Sequence, residues 1–150
     1  LLVKEKMTLA VAESCTGGMI AHMVTDVPGS SRYFVGGMVP YTEQAKVKLV
    51  GVKQSTLDAH SVYSAQIAEE LAQGAKERYE TDFGIGTTGV AGPDDLENGI
   101  KAGTIWIGVS GPSGTVSKQL KLGKNRERNI LMASNAALNL LRQEIIAINH

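Results

Sequence analysis

Thr8-Leu9-Ala10-Val11-Ala12-Glu13-Ser14-Cys15-Thr16-Gly17-Gly18-Met19-Ile20-Ala21-His22-Met23-Val24 decides the fold. Its first five residues form a short apolar run, which reads as a buried strand. Its last six carry apolar residues at helical spacing. Between them lies a turn of small polar residues offering a carboxylate, a hydroxyl, a thiol and two glycines. A strand running through such a turn into a helix is the unit that open α/β sheets use to build sites, at the strand's carboxyl end. Amides at the helix start offer free donors to whatever sits there.

The remaining punctuation extends this unit into one domain over residues 1–150. Residues 1–6 read as the tail of a truncated helix. Pro28-Gly29 stops the first full helix. Residues 33–39 form the next strand candidate, where Gly36-Gly37 signals a bulge or a close backbone approach. Thr42 caps a short helix that Gly51 ends. Residues 55–57 begin a small turn or helical piece. Ser64 caps a long helix from Ala65 to about Tyr79, with Ile67, Ala68, Leu71, Ala72 and Ala75 as its apolar stripe. Residues 83–87 form a strand running into a second small-residue turn, 88–93, and 94–101 form a polar surface loop. Residues 103–110 and 115–122 flank Gly111-Pro112-Ser113-Gly114 as a hairpin. A helix from about Arg126 to Ile148 closes the chain. These elements predict an α/β fold, a three-layer α/β/α sandwich around a mixed, mostly parallel sheet.

Composition narrows the function classes. The 150 residues carry 15 basic and 15 acidic side chains, a net charge of zero, so the basic surplus of a duplex-binding protein is missing. No apolar run reaches the ~18 residues of a membrane span. A single cysteine suits a reducing cytoplasm. No His/Cys/Asp/Glu cluster has metal spacing, and there is no Walker loop or dinucleotide fingerprint. No metal or other cofactor is expected.

Each candidate residue admits more than one reading. Ser14 is a nucleophile at a strand-to-helix turn, or a plain helix cap. A triad is disfavoured because His22, His60 and His150 all lie outside the small polar turns. Lys46 can replace histidine as the base if burial lowers its pKa; otherwise it is a solvated helix lysine. Cys15 is a rival nucleophile or a small buried side chain. Glu13 is a general base, a partner for Lys46, or a carboxylate at the helix entry. Thr87-Thr88-Gly89-Val90-Ala91-Gly92-Pro93 is a phosphate or ribose cradle or a tight turn. Asn125, Arg126 and Arg128 form a phosphate clamp or a solvated basic loop.

Taken together, several stretches resemble the CinA C-terminal-domain family, whose enzymatic members are nicotinamide mononucleotide deamidases. They are Ala12-Glu13-Ser14-Cys15-Thr16-Gly17-Gly18, Pro28-Gly29-Ser30-Ser31, Tyr33-Phe34 with Gly36-Gly37, Tyr41-Thr42 with Ala45-Lys46, Leu49, Gly51-Val52, and Thr88-Gly89-Val90-Ala91-Gly92-Pro93. The resemblance covers nearly the whole chain. It implies a serine/lysine amidohydrolase that converts nicotinamide mononucleotide to nicotinate mononucleotide and ammonia in pyridine nucleotide salvage. Ser14 is then the nucleophile and Lys46 its base, with Tyr41 beside them as an orienting hydroxyl. Cys15, Thr16, Gly17 and Gly18 supply oxyanion amides; Ser31, Thr88 and Gly89 line the pocket; Arg126 faces the phosphate. It further implies a five-stranded sheet and a homo-oligomer. A catalytically silent family member, binding a nucleotide or a protein in competence or DNA-damage physiology, is the alternative. The sequence departs from the family pattern at Asp94-Asp95-Leu96-Glu97, where acids replace the usual glycines and would repel a phosphate.

Overall fold

The computed structural model describes residues 1–149; His150 lies outside the described residues. A short helix, α1 (Leu2–Glu5), leads into strand β1 (Leu9–Glu13) and helix α2 (Met19–Thr25). Strand β2 (Phe34–Met38) follows, then α3 (Glu43–Ala45), a π-helical turn (Lys46–Val50), α4 (Gln54–Ala59) and α5 (Ala65–Tyr79). Strands β3 (Phe83–Gly89), β4 (Thr104–Gly111) and β5 (Gly114–Lys121) precede the last helix, α6 (Arg126–Ile148).

The five strands form one sheet in the order β2-β1-β3-β4-β5. β1 pairs in parallel with both β2 and β3, whereas β4 is antiparallel to β3 and β5. Four of the five strands therefore run the same way, and the sheet is mixed as expected. The parallel pairs are those joined through helices, and the antiparallel β4–β5 pair is joined by the predicted hairpin.

Strand alternation divides the core into two layers. Leu9 and Val11 of β1 join Phe83, Ile85, Ile105, Ile107 and Val109 against α2 and α6. Ala10 and Ala12 face the other way, toward Val50, Val52, Leu57, Ile67, Leu71 and Ala75. Fully burying an aliphatic side chain such as Leu71 contributes about 1.5–3 kcal/mol. On the second face α5 lies very close to the sheet. A Cβ at Gly84 or Gly86 would fall 2.1 Å from the Ala72 carbonyl oxygen or 2.5 Å from that of Ala68. Glycine in these strands permits that approach.

Helix ends follow their caps. Thr42 and Ser64 accept from the amides of Ala45 and Ile67, as the sequence predicts. Gly51, at φ +85°, ends the π-helical turn in the left-handed conformation that glycine tolerates. One boundary differs from expectation. Thr88 and Gly89 belong to β3, pairing with Trp106 and Ile105, so the second small-residue turn begins only at Val90.

Candidate active site

The carboxyl ends of β1, β2 and β3 share one edge of the sheet, and the site lies there. Ser14 follows β1, Tyr41 and Lys46 follow β2, and Gly89 closes β3. Because β5 runs in the same direction, the start of α6 with Arg126 reaches the same edge.

Lys46 is almost completely buried, at 2% exposure. Its Nζ donates to Ser14 Oγ at 3.0 Å and to the Tyr41 carbonyl at 3.0 Å. Burial holds the ammonium below its usual range, and the nearby Cys15 and Glu43 oppose that shift. The lysine projects from the first residue of the π-helical turn. Its own carbonyl accepts from the amide of Val52, drawing the turn closed. Single π turns of this kind recur at functional sites.

Ser14 is not a helix cap. Gly18, at φ +103°, occupies that position without a side-chain cap. Glu13 does the capping from the end of β1. Its two carboxylate oxygens accept from the amides of Ile20 and Ala21 at 2.8 and 3.0 Å, and from the Thr16 hydroxyl at 2.6 Å. Glu13 is therefore the helix-entry carboxylate of the three readings open to it, not a partner of Lys46. The expected free donors at the start of α2 are engaged by this carboxylate. Gly17 is engaged too, its amide donating to the Ser14 carbonyl. The amides of Cys15, Thr16 and Gly18 lie outside this backbone network among the described residues.

A cavity of about 400 Å³ opens over Ser14 and Lys46, bordered also by Thr42, Glu43 and Val62. A second lobe of about 230 Å³ adjoins it, bordered by residues 89–94, Leu96 and Arg126. Cys15, Tyr41, Tyr63 and Gly89 border both lobes. Burial pushes the Cys15 thiol up to about 12, so it is a thiol at neutral pH and a poor nucleophile.

Several expectations need correction. Tyr41 presents its carbonyl, not its hydroxyl, to Lys46; the hydroxyl accepts from Arg126 Nη2 at 3.1 Å. Thr88 is fully buried, and its hydroxyl donates to the Val62 carbonyl at 2.7 Å. It anchors the segment that carries Tyr63 and does not border the cavity. Thr16 is likewise internal, its hydroxyl held by Glu13 and by Thr87 Oγ1 at 2.9 Å. Neither lobe is bordered by Gly17 or Gly18. Ser31 lies at the opposite edge of the sheet. The Tyr33 carbonyl two residues later accepts from Leu9 at the start of β1, a full strand away from Ser14. Arg126 does reach the site, and its Nη1 donates to the Gly92 carbonyl at 2.7 Å. His22 and His60 are exposed.

Of the acids in that loop only Asp94 borders the cavity. Asp95 folds inward, accepting from the Ala102 amide at 2.8 Å and from Lys101 Nζ at 3.3 Å. Those contacts, the Ala102 amide first, hold its carboxyl below the usual range.

Two residues of the site went unread in the sequence. Tyr63 walls both lobes, and burial raises its hydroxyl pKa. Asn129, at 2% exposure, donates to the carbonyls of Ala91 and Gly123 at 2.9 and 2.8 Å, tying both loops to α6. The signal was available: Asn129 leads the buried row Ala133, Ala137, Leu141 and Ile145 at a spacing of four. An asparagine on an apolar stripe must find partners.

This three-layer α/β/α domain, built on a five-stranded mixed sheet, has the fold of solved CinA superfamily proteins. A solved CinA superfamily protein from Escherichia coli matches it with a TM-score of 0.91 and 33% identity, over 95% of this chain and 83% of that one. The model of the CinA C-terminal domain matches residues 1–145, and the chain belongs to that family. A CinA-like protein of Flavobacterium psychrophilum is 42% identical over 97% of this chain and 35% of its own length. A Shewanella oneidensis protein named nicotinamide-nucleotide amidohydrolase PncC is 39% identical over the same two shares. The chain thus spans about a third of the length of the curated relatives it matches. No described helix is long and apolar enough to cross a membrane.

Proposed function

We propose that this chain hydrolyses the carboxamide of nicotinamide mononucleotide, releasing ammonia and nicotinate mononucleotide. The observation that carries this reading is the 3.0 Å contact between Lys46 Nζ and Ser14 Oγ at the floor of an open cavity. The name of the Shewanella oneidensis relative supplies the substrate.

Burial favours a neutral Lys46, and a neutral amine can accept the Ser14 proton while its own N–H stays on the Tyr41 carbonyl. Ser14 Oγ then bonds to the carboxamide carbon. Of the amides outside the backbone network, only that of Cys15 belongs to a residue bordering the cavity, and it is the one assigned to the oxyanion, where one lost donor typically costs about 10²–10³ in kcat. Lys46 returns the proton to the departing nitrogen, and the C–N bond breaks to give ammonia and a Ser14 ester. Water attacks the ester, Lys46 takes its proton, and that proton returns to Ser14 as nicotinate mononucleotide leaves. The ribose end of the substrate then lies in the second lobe, which Arg126 and Asp94 both border.

This reading includes a cytoplasmic enzyme that self-associates. Val35 and Val39 around edge strand β2, and Leu131 and Met132 on α6, leave apolar side chains exposed. Sedimentation of the purified chain reads that part directly. Ammonia release from nicotinamide mononucleotide tests the activity. A folded parent that releases none would move the chain to the other reading the family allows, a silent nucleotide- or protein-binding domain.

A further inference from the structure

The charges around the cavity do not suit a dianion. Its acidic lining residues are Glu43 in the inner lobe and Asp94 in the outer one; its basic ones are Lys46 and Arg126. Lys46 is engaged by Ser14 and the Tyr41 carbonyl at the cavity floor. Even if it is charged, the lining sums to zero, and if it is neutral the lining is negative.

The outer lobe is balanced against itself. The Arg126 guanidinium already donates to Gly92 and Tyr41, and Asp94 borders the same 230 Å³ space. The neighbouring cations are drawn elsewhere: Lys101 pairs with Asp95, and Lys124 acts on the same carboxylate. The start of α6 offers little to an anion. Asn125 accepts from the Arg128 amide at 2.9 Å, and Glu127 sits in the first turn, where a carboxylate already answers the helix dipole.

The same cavity suits a cation. Tyr41 and Tyr63 border both lobes, and aromatic rings attract a planar cation. Glu43 lies beside them in the inner lobe, where an N-alkylated pyridinium carboxamide would bring its ring to reach Ser14.

We propose that this cavity selects cationic N-ribosylpyridinium carboxamides without requiring a 5′-phosphate, and that Asp94 sets that preference. The inference rests on the amidase reading for the identity of the ring. Nicotinamide riboside, net positive, is then accepted at least as well as the mononucleotide, whose phosphate meets Asp94.

Calorimetric binding of nicotinamide riboside and of nicotinamide mononucleotide to Ser14→Ala, with and without Asp94→Asn, tests it. Ammonia release by the parent is followed separately. The riboside is expected to bind within threefold of the mononucleotide or more tightly. Asp94→Asn should shift the ratio toward the mononucleotide by about two- to fivefold, the range of an exposed charge pair. Raising salt from 0.05 to about 1 M should narrow any riboside preference in the Asp94 protein, because the screening length falls to about 3 Å. A hundredfold preference for the mononucleotide, a ratio unmoved by Asp94→Asn, or binding of neither ligand would overturn the inference. Ammonia release with an unmoved ratio leaves the amidase standing alone. A shifted ratio without ammonia release removes the amidase and keeps the ligand class.

Discussion

Lys46 Nζ lies 3.0 Å from Ser14 Oγ although 32 residues separate them in the chain. β1 delivers the serine, and the π-helical turn after β2 delivers the lysine, because the two strands are parallel neighbours. The lysine is dry at that point, so its proton affinity becomes the first thing to measure.

The pH profile should show an acid limb belonging to Lys46. Burial lowers its pKa and Glu43 raises it. Activity therefore climbs with pH as the amine loses its proton, at a pH below the ordinary lysine range. Glu43→Gln removes the opposing charge and should move the limb to lower pH. The profile of kcat/KM for parent and variant checks this; a limb that stays put or moves up would exclude Lys46 as the titrating base. The same shift works against stability. The folded chain binds the Lys46 proton less readily than the unfolded chain, so stability rises with pH from the lowered pKa up to about 10.5.

Gly74→Ala should damage the site from a distance. A Cβ there falls 2.3 Å from the Val50 carbonyl oxygen and 2.4 Å from Val50 Cγ1. Val50 ends the turn that Lys46 begins. Overpacking of this kind costs about 1–3 kcal/mol, and the displaced turn carries Lys46 away from Ser14. A fall in kcat larger than the change in KM is expected. A variant with parental stability and parental kcat would show that the turn does not depend on this contact.

Glu13→Ala should loosen the start of α2. It removes the acceptor for Ile20, Ala21 and Thr16 together. Loss of a single cap typically costs about 0.5–2 kcal/mol, and a carboxylate serving three buried donors belongs at or above the top of that range. At about 2–4 °C per kcal/mol for a chain of this size, Tm should drop by at least 4 °C. Calorimetry showing no drop would mean that the donors find other acceptors.

Cys15 should resist alkylation in the folded chain. With its thiol pushed up to about 12 from 9.0, the thiolate fraction at neutral pH falls about a thousandfold, and the thiolate is the reactive form. Iodoacetamide labelling followed by mass spectrometry reads this directly. Rapid labelling of the native chain would restore Cys15 as a candidate nucleophile.

The sequence carried the fold well because its signals were local. The β1 run, the caps Thr42 and Ser64, and the apolar stripe of α5 each specify an element without help from distant residues. The site was legible only in part. Ser14 and Lys46 could be named, but their meeting depends on strand order, which no local pattern encodes. Ser31 was misplaced for the same reason: it stands next to a strand of the site, but at the strand's wrong end. Thr16 and Thr88 carry hydroxyls that suit a pocket, yet buried partners engage both. Tyr41 was assigned by its hydroxyl when its backbone carbonyl makes the contact, and a side-chain reading cannot show that.

Ammonia release from nicotinamide mononucleotide by the folded parent, run beside Ser14→Ala and Lys46→Ala, is the most direct test. The expected result is release by the parent and loss of about 10³-fold or more in each variant, as when either member of a paired nucleophile and base is removed. Parental activity in either variant, or no release by a parent shown to be folded, would contradict a reaction carried by these two residues.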